Sequence, residues 1–328
     1  MKNNKIVNSL LELIGNTPLL RLNNFGKGLE ANILVKCEYL NPSGSIKDRM
    51  ALRMVEDAEK EGAITPSKTT LTDASSGNTA MALSMVGAIK GYKVKFYFPE
   101  ATGVPEKIRA LERYGAELEV VPMDDPASNR LSKAAGLHGA TIEIPGRVKC
   151  YLEEQENPDH VWIRQFSNPG NIAGQANIGW ELLEQTDGKI DVFVTSIGTG
   201  GTFLGVSRVL KEHIPNVKCI VVQPSGWVGW EDPLSPTKKY IPNISGGILE
   251  EIRDSGIADE IVFVGSDEAR ATAYRLSQEE GVFCGMSSGA NVFIAAREAS
   301  KPGMKGKNVV SVIVDRGDRY LTHEKYTT

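Results

Sequence analysis

The sequence lacks the patterns that would indicate a membrane or a nucleic acid as a partner. No apolar run approaches the ~18 residues that a membrane-spanning helix needs. The net charge of −4 comes without any block of basic residues. Binding to nucleic acid or to an anionic membrane is therefore not indicated, and we expect neither among the partners of this chain.

Cysteine and histidine are both scarce, with four of each in 328 residues. The histidines show no metal-ligand spacing, and no two cysteines form a C-x-x-C pair, so neither a metal site nor a disulfide framework is predicted. Residues 1–12 lack the apolar core and cleavage site of a signal peptide. These absences predict a cytoplasmic protein with reduced thiols at Cys37, Cys150, Cys219 and Cys284.

What the sequence does contain is a close alternation of helical and strand patterns. Residues 190–196, for example, form a mainly apolar run of the kind that parallel sheets require. This alternation predicts an α/β fold with mostly parallel strands. The length corresponds to about two domains.

Residues 41–49 (Asn-Pro-Ser-Gly-Ser-Ile-Lys-Asp-Arg) join a strand pattern to a helical pattern. Ser45 is predicted as the N-cap, which places Lys47 in the first helical turn. A lysine is unusual there because the positive end of the helix dipole disfavours an ammonium group. The same repulsion favours the neutral amine, the form that attacks carbonyl groups. Taken alone, Lys47 has a solvated surface lysine as its ordinary alternative.

Small polar residues also open the helices predicted after residues 74, 197 and 286. Backbone N–H groups and hydroxyls at a helix start can bind an anion. An ordinary capped turn is the alternative for each. For Gly-Thr-Gly-Gly-Thr at 198–202, a dinucleotide loop is disfavoured because Phe203 stands where the third glycine belongs.

In combination, these segments resemble the cysteine synthase and cystathionine β-synthase family. Its members are pyridoxal-phosphate enzymes of the tryptophan-synthase-β fold. The resemblance runs from about residue 8 to residue 321. It rests on segments that follow the family's order: 14–19, 41–49, 75–79, 165–169, 198–202, 285–290 and 315–321.

The resemblance implies how the cofactor is held. Lys47 forms the Schiff base with the aldehyde of pyridoxal 5'-phosphate. Asn78 contacts the ring hydroxyl, and Ser287 hydrogen-bonds the pyridine nitrogen. The phosphate is bound by Gly198, Thr199, Gly200, Gly201 and Thr202.

The resemblance also implies a site for a small amino-acid substrate. Its α-carboxylate is gripped by a Ser-Ser-Gly-Asn-Thr loop, in which Ser75 replaces the threonine usual in the family and keeps the hydroxyl. Gln165 lies near the substrate. The substrate-binding residues are therefore Ser75, Ser76, Gly77, Thr79 and Gln165.

The implied architecture is α/β, with two three-layer α/β/α domains, mostly parallel sheets, and the cofactor in the cleft between them. Residues 1–39 and 151–328 are assigned to a larger cofactor-binding domain. Residues 40–150 are assigned to a smaller, mobile substrate-binding domain. Family members are usually homodimers, so a homodimer is expected here.

The implied chemistry is β-replacement through an α-aminoacrylate intermediate. The neutral hydroxyl of Ser287 leaves the ring nitrogen unprotonated. The ring is then a weaker electron sink, which suits loss of a β-substituent and disfavours transamination.

The chain departs from the family between residues 223 and 248. Two acids, Glu231 and Asp232, follow two tryptophans in a loop expected at the mouth of the active site. We predict Asp232 as a catalytic base, in preference to Glu231, because Pro233 restricts its backbone. A carboxylate there would repel hydrosulfide and activate water or a thiol. A solvated acidic pair on a surface loop is the alternative.

This departure favours L-cysteine as the substrate, with release of hydrogen sulfide and formation of L-serine or lanthionine. The main alternative is a cysteine synthase that makes L-cysteine from O-acetylserine or O-phosphoserine and sulfide. Elimination to pyruvate and a non-catalytic homologue are the further alternatives.

Overall fold

A computed structural model of the chain describes residues 6–99, 103–122, 131, 143–225, 241–323 and 326. The strands are β1 (Leu19–Arg21), β2 (Asn32–Cys37), β3 (Thr70–Ala74), β4 (Lys93–Pro99), β5 (Glu117–Val121), β6 (His160–Trp162), β7 (Val192–Ser196), β8 (Lys218–Pro224), β9 (Glu260–Val264) and β10 (Asn308–Ile313). The helices are α1 (Lys47–Lys60), α2 (Asn78–Lys90), α3 (Pro105–Arg113), α4 (Ile144–Glu156), α5 (Pro169–Thr186), α6 (Gly201–His213), α7 (Leu249–Asp254), α8 (Ser266–Glu280) and α9 (Met286–Ala299). Short 3-10 helices cover Leu10–Leu13, Glu38–Leu40 and Gly317–Tyr320.

The larger sheet has the strand order β1-β2-β10-β7-β8-β9. β1 is antiparallel to β2, and the other neighbouring pairs are parallel. Successive residues of the central strands face opposite sides of the sheet. Phe193 and Val221 pack in a core with α5, α6 and α7, whereas Val194 and Val222 pack in another core with α8 and α9. The sheet is therefore the middle of three layers.

The smaller sheet has the strand order β5-β4-β3-β6, and all its pairs are parallel. Phe96 on β4 packs in a core with residues of α1 and α2. The next residue, Tyr97, packs on the opposite face with Cys150 of α4 and with Trp162. Both sheets thus have helices on each face, and the predicted α/β fold with mostly parallel sheets is confirmed.

The division of the chain at residues 40 and 150 remains a prediction. Strand β6 lies beyond residue 150, yet it pairs in parallel with β3 of the smaller sheet. We propose on this basis that the smaller domain extends to Trp162.

A buried cluster of charges fixes the start of α1. The guanidinium of Arg49 contacts Glu38 at 2.7 Å and Glu181 of α5 at 2.6 Å. Lys36 on β2 pairs with the same Glu181. Buried charges are tolerated when they are paired in this way. Because Arg49 lies two residues after Lys47, the cluster anchors the helix that carries this lysine.

The cysteines take no part in a cross-link. All four are buried and free. Burial raises the pKa of the Cys37 thiol to about 12 and that of Cys219 to about 11, so both stay protonated at neutral pH. Among the described helices, none has the length and apolar character to cross a membrane.

Candidate active site

The predicted site residues follow the carboxyl ends of parallel strands. Lys47 comes after β2, the loop 75–77 comes after β3, and the loop 197–200 comes after β7. Open parallel sheets bind ligands at this edge. One pocket there is lined by Ile46, Lys47, Asn78, Thr195, Ser196, Gly198, Thr199, Gly200, Thr202, Asn243, Ser287 and Val314. The pocket brings together seven of the eight residues that the sequence assigned to the cofactor. The eighth, Gly201, lies in the chain between two residues of the lining, Gly200 and Thr202.

Lys47 is the first residue of α1. The prediction of Ser45 as the N-cap is wrong, since Ile46 occupies that position without a side-chain cap. The reason is that the helix begins one residue later, although the Ser45 hydroxyl still accepts a hydrogen bond from the Lys47 N–H at 3.3 Å. The amine of Lys47 lies 3.9 Å from where a Cβ on Gly198 would be. The lysine therefore faces the glycine-rich loop across the pocket.

The amine of Lys47 is easier to deprotonate than an ordinary lysine. Burial lowers its pKa to about 8, while the charges of Asp315 and Glu143 oppose the shift. Burial is thus the largest of these influences on the pKa of Lys47. At pH 8 about half of such amines are neutral and able to attack a carbonyl group.

The glycines of the loop 198–202 cannot carry side chains. A Cβ on Gly200 would lie 2.1 Å from Cγ1 of Ile248, and one on Gly201 would lie 2.0 Å from Oδ1 of Asn171. Gly200 also has φ +93°, which disfavours other residues. The Gly198 carbonyl accepts a hydrogen bond from Gly247 N–H at 2.8 Å. These contacts therefore fix the position of the loop, and α6 begins within it at Gly201, which suits an anion in the pocket.

Ser287 differs from its neighbour in one decisive respect. Its side chain is 1% exposed, and its hydroxyl has no hydrogen-bond partner among the described residues. The hydroxyl of Ser288, by contrast, accepts a hydrogen bond from Val314 N–H at 2.9 Å. Buried hydroxyls are normally paired. An unpaired hydroxyl in the wall of a pocket is suited to a ligand in that pocket.

Asn78 is held by two residues near the end of the chain. Its amide donates a hydrogen bond to Asp315 at 2.6 Å and accepts one from Arg319. Asn243 donates a further hydrogen bond to Asp315 at 3.0 Å. The sequence singled out the segment 315–321 but gave no role to these residues, because their partners lie far away in sequence.

The predicted substrate residues form a second group beside the pocket. Thr79 donates a hydrogen bond of 2.6 Å to Gln165, whose amide donates one of 2.8 Å to the Ala74 carbonyl. Gln165 thereby ties the loop that begins at Ser75 to the segment after β6. The Ser75 hydroxyl accepts a hydrogen bond from Gly77 N–H at 3.2 Å. The loop 75–77 is thus shaped by its own hydrogen bonds and by Gln165.

The predicted catalytic base Asp232 and its neighbour Glu231 lie outside the described residues. Within the described ranges, no group of three or more His, Cys, Asp or Glu side chains is arranged to hold a metal ion.

The whole length of the chain is similar to proteins of one group. Residues 10–315 match the model of a family described as "Pyridoxal-phosphate dependent enzyme". The chain is 41% identical to cysteine synthase 3 of Caenorhabditis elegans over 318 residues, which cover 96% of this chain and 89% of that protein. A crystal structure of a cysteine synthase from Entamoeba histolytica superposes with a TM-score of 0.85 at 30% identity, covering 100% of this chain and 93% of that one. A crystal structure of a hydrogen sulfide-producing enzyme from Fusobacterium nucleatum superposes with a TM-score of 0.82 at 32% identity, covering 97% of this chain and 99% of that one. The matched residues include the whole lining of the pocket.

Proposed function

Because this chain belongs to the family of pyridoxal-phosphate dependent enzymes, we propose that it replaces the β-substituent of a small amino acid. The amino acid proposed is L-cysteine, with hydrogen sulfide as one product and L-serine or lanthionine as the other. The observation that carries the proposal is the buried, unpaired hydroxyl of Ser287 in a pocket with Lys47.

The residues of the pocket fit pyridoxal 5'-phosphate. Lys47 offers an amine for its aldehyde, and the loop 198–202 offers backbone N–H groups and hydroxyls for its phosphate. The hydroxyl of Ser287 would pair with the ring nitrogen, and Asn78 would contact the ring hydroxyl. When bound, the cofactor supplies an electron sink for the bonds at Cα of the substrate.

The protein side chains direct that chemistry. As a neutral partner, the Ser287 hydroxyl does not force a proton onto the ring nitrogen, which favours loss of a β-substituent over transamination. Lys47 removes the proton from Cα, and its lowered pKa of about 8 supports this role near neutral pH. The substrate α-carboxylate is bound by the N–H groups and hydroxyls of Ser75, Ser76, Gly77 and Thr79, with Gln165 beside them.

The choice of L-cysteine has two supports. One is Asp232, which we propose as a base that activates water or a second thiol. The other is the similarity to the hydrogen sulfide-producing enzyme of Fusobacterium nucleatum. A cysteine synthase reaction, with O-acetylserine or O-phosphoserine and sulfide, is the second candidate. The similarity to the cysteine synthase of Caenorhabditis elegans favours it.

The test is to give the cofactor-loaded enzyme L-cysteine alone, measure sulfide, and identify the amino-acid product by mass. Sulfide together with serine or lanthionine supports the proposal, and Asp232→Asn should then slow its release. No sulfide from cysteine, but cysteine from O-acetylserine and sulfide, establishes the second candidate instead.

We also propose that the enzyme is a cytoplasmic homodimer. The buried, free thiols are compatible with a reducing compartment. A mass from light scattering of twice the 35.6 kDa of one chain supports the dimer. A mass of 35.6 kDa over the working concentration range contradicts it.

A further inference from the structure

A carboxyl group that no motif marked is electrostatically coupled to Lys47. Glu143 is the N-cap residue of α4. The start of this helix packs against the carboxyl ends of β3 and β4. A Cβ on Gly146 would lie 2.7 Å from the Tyr97 carbonyl oxygen and 3.2 Å from Cβ of Ala74. Ala74 directly precedes the substrate loop 75–77, so Glu143 belongs to the same edge of the smaller sheet.

The surroundings of Glu143 favour its protonated form. Burial raises the pKa of its carboxyl to about 8, the nearby charge of Asp73 adds to the shift, and Arg147 and Lys47 oppose it. Its Oε2 atom is buried and has no hydrogen-bond partner among the described residues. A protonated carboxyl without an acceptor is a donor that a ligand can satisfy. The packing of the start of α4 beside Ala74 puts this donor on the side of the substrate loop, and the electrostatic coupling of Glu143 with Lys47 agrees with that placement.

The other acid of this group is already engaged. Asp73 accepts hydrogen bonds from the Trp162 indole at 3.0 Å and from Gln165 N–H at 3.2 Å. Its carboxylate therefore has a structural role at the end of β3. Arg147 packs on the ring of Phe166 at 5.0 Å and gives Glu143 a neighbouring positive charge. Glu143 is the acid of the cluster with an oxygen that has no hydrogen-bond partner among the described residues.

We propose that Glu143 is a general acid that protonates the sulfur leaving from Cβ of L-cysteine. This inference rests on the proposed function and deepens it. As the Cβ–S bond breaks, its electron pair goes to sulfur, and the proton passes from Oε2 of Glu143 to that sulfur. Hydrogen sulfide leaves, and the carboxylate that remains is stabilised by the charge of Arg147. It regains its proton from solvent, into which the base that activates the attacking water or thiol releases the proton it has taken.

This role predicts which substrates the enzyme favours. Hydrosulfide is a poor leaving group that benefits from a proton, whereas acetate and chloride leave without one. A general acid contributes about 10²–10⁴-fold to a step in which a proton is transferred. Glu143 would therefore favour β-thiol substrates over substrates with good leaving groups.

The test compares Glu143→Gln with the matched control Glu156→Gln, an exposed position at the other end of α4. Gln keeps the shape of Glu but cannot act as an acid. Each cofactor-loaded variant is given L-cysteine and, separately, β-chloro-L-alanine. We expect Glu143→Gln to lose about 100-fold in sulfide release and to process β-chloro-L-alanine within about threefold of the wild type. Equal losses on both substrates, or unchanged sulfide release, overturn the proposal.

Infrared spectroscopy of the same cofactor-loaded proteins gives a readout that does not depend on turnover. At pH 7 the wild type and Glu156→Gln should show a carbonyl stretch from a protonated carboxyl that Glu143→Gln lacks. If the wild type has no such band, Glu143 is ionised and the proposal is wrong. If the wild type itself releases no sulfide from cysteine, the proposed substrate is wrong and Glu143 is not an acid for sulfur. If the wild type releases sulfide from cysteine and Glu143→Gln releases it equally fast, the proposed substrate stands and only the role of Glu143 is wrong.

Discussion

The side-chain amide of Asn78 donates a hydrogen bond of 2.6 Å to Asp315, which lies 237 residues further along the chain. Asn78 begins α2 beside the smaller sheet, and Asp315 follows β10 of the larger sheet. Asn243 donates to the same carboxylate, and Asp315 is fully buried. One anionic acceptor thus orients two amides that line the pocket. We infer that Asn78 is oriented by the protein before any cofactor contacts it.

The first prediction concerns this carboxylate. Asp315→Asn removes the charge that accepts from Asn78 and Asn243. Hydrogen bonds to charged groups contribute about 1.5–3 kcal/mol each, so we expect the free energy of unfolding to fall by about 3 kcal/mol. We also expect cofactor affinity to fall at least about tenfold, because a loss of only ~1.4 kcal/mol of binding free energy lowers affinity tenfold. Urea unfolding and equilibrium dialysis of the cofactor measure the two effects.

Asp318→Asn is the control for this change, because the Asp318 side chain is 44% exposed and, within the described part of the chain, forms an ion pair only with exposed Arg316. It should change stability by less than about 1 kcal/mol. Equal effects of the two substitutions would mean that the buried hydrogen bonds of Asp315 have no special weight.

The second prediction concerns the glycine-rich loop. In Gly200→Ala the new methyl group meets Ile248 at 2.1 Å, in a backbone conformation with φ +93°. Overpacking and backbone strain together should lower the free energy of unfolding by at least ~2 kcal/mol and displace the loop. Visible absorbance after cofactor titration should show weaker binding.

Gly303→Ala separates strain from clash, because Gly303 has φ +83° but nothing within 4 Å of its Cβ position. This control should lose only ~1 kcal/mol and bind the cofactor normally. If Gly200→Ala binds the cofactor as tightly as Gly303→Ala does, close approach of the loop backbone is not required.

The sequence predicts the general architecture well, for a physical reason. Apolar runs and helix-start residues are local features, so the strand before Lys47 and the loop before α6 could be placed without coordinates. The segments that resemble one family, in that family's order, also predicted a shared site for Asn78 and Ser287. Their individual roles stay predictions.

Other features depend on contacts that local patterns do not encode. Ser45 was misassigned as the N-cap because its segment pairs with a distant one. The Ile46 N–H donates a hydrogen bond to the Val314 carbonyl at 2.9 Å, and the helix begins only at Lys47. Asn243 joins the pocket, and Glu143 the edge of the smaller sheet beside it, only through the packing of distant segments. The pairing of Arg49 with Glu181, 132 residues away, is likewise invisible in the sequence.

The third prediction uses that ion pair. Burial alone would raise the pKa of Glu181, but Arg49 and Lys36 bring it from 4.5 down to about 2. A depressed carboxyl pKa stabilises the fold above the unfolded value of 4.5 and loses that contribution as the pH falls toward 2. The shift corresponds to about 3 kcal/mol at neutral pH. We expect Glu181→Gln to lower stability at pH 7 by this order and to flatten its pH dependence between 4.5 and 2.

Urea unfolding at several pH values measures this effect, with Glu184→Gln on the same helix as the control, since Glu184 is exposed. The control should keep the pH dependence of the wild type. A Glu181→Gln variant that loses stability with falling pH as steeply as the wild type would show that other carboxylates dominate acid unfolding.

The fourth prediction contrasts two adjacent serines in α9. The Ser287 hydroxyl has no partner among the described residues, so Ser287→Ala removes no internal hydrogen bond. We expect the cofactor-free protein to keep its stability within about 0.5 kcal/mol. The Ser288 hydroxyl accepts from Val314 N–H, so Ser288→Ala should lower stability by about 1–2 kcal/mol.

Cofactor binding should show the opposite order. If Ser287 pairs with the ring nitrogen, Ser287→Ala loses that contact and binds the cofactor about tenfold more weakly, with a shifted visible absorbance. Ser288→Ala should keep the wild-type spectrum, because its hydroxyl is already committed to the backbone of Val314. Thermal unfolding without cofactor and absorbance titration with cofactor measure the two properties separately. If Ser287→Ala is destabilised without cofactor, yet binds the cofactor with unchanged affinity and spectrum, its hydroxyl serves the fold and not the ligand.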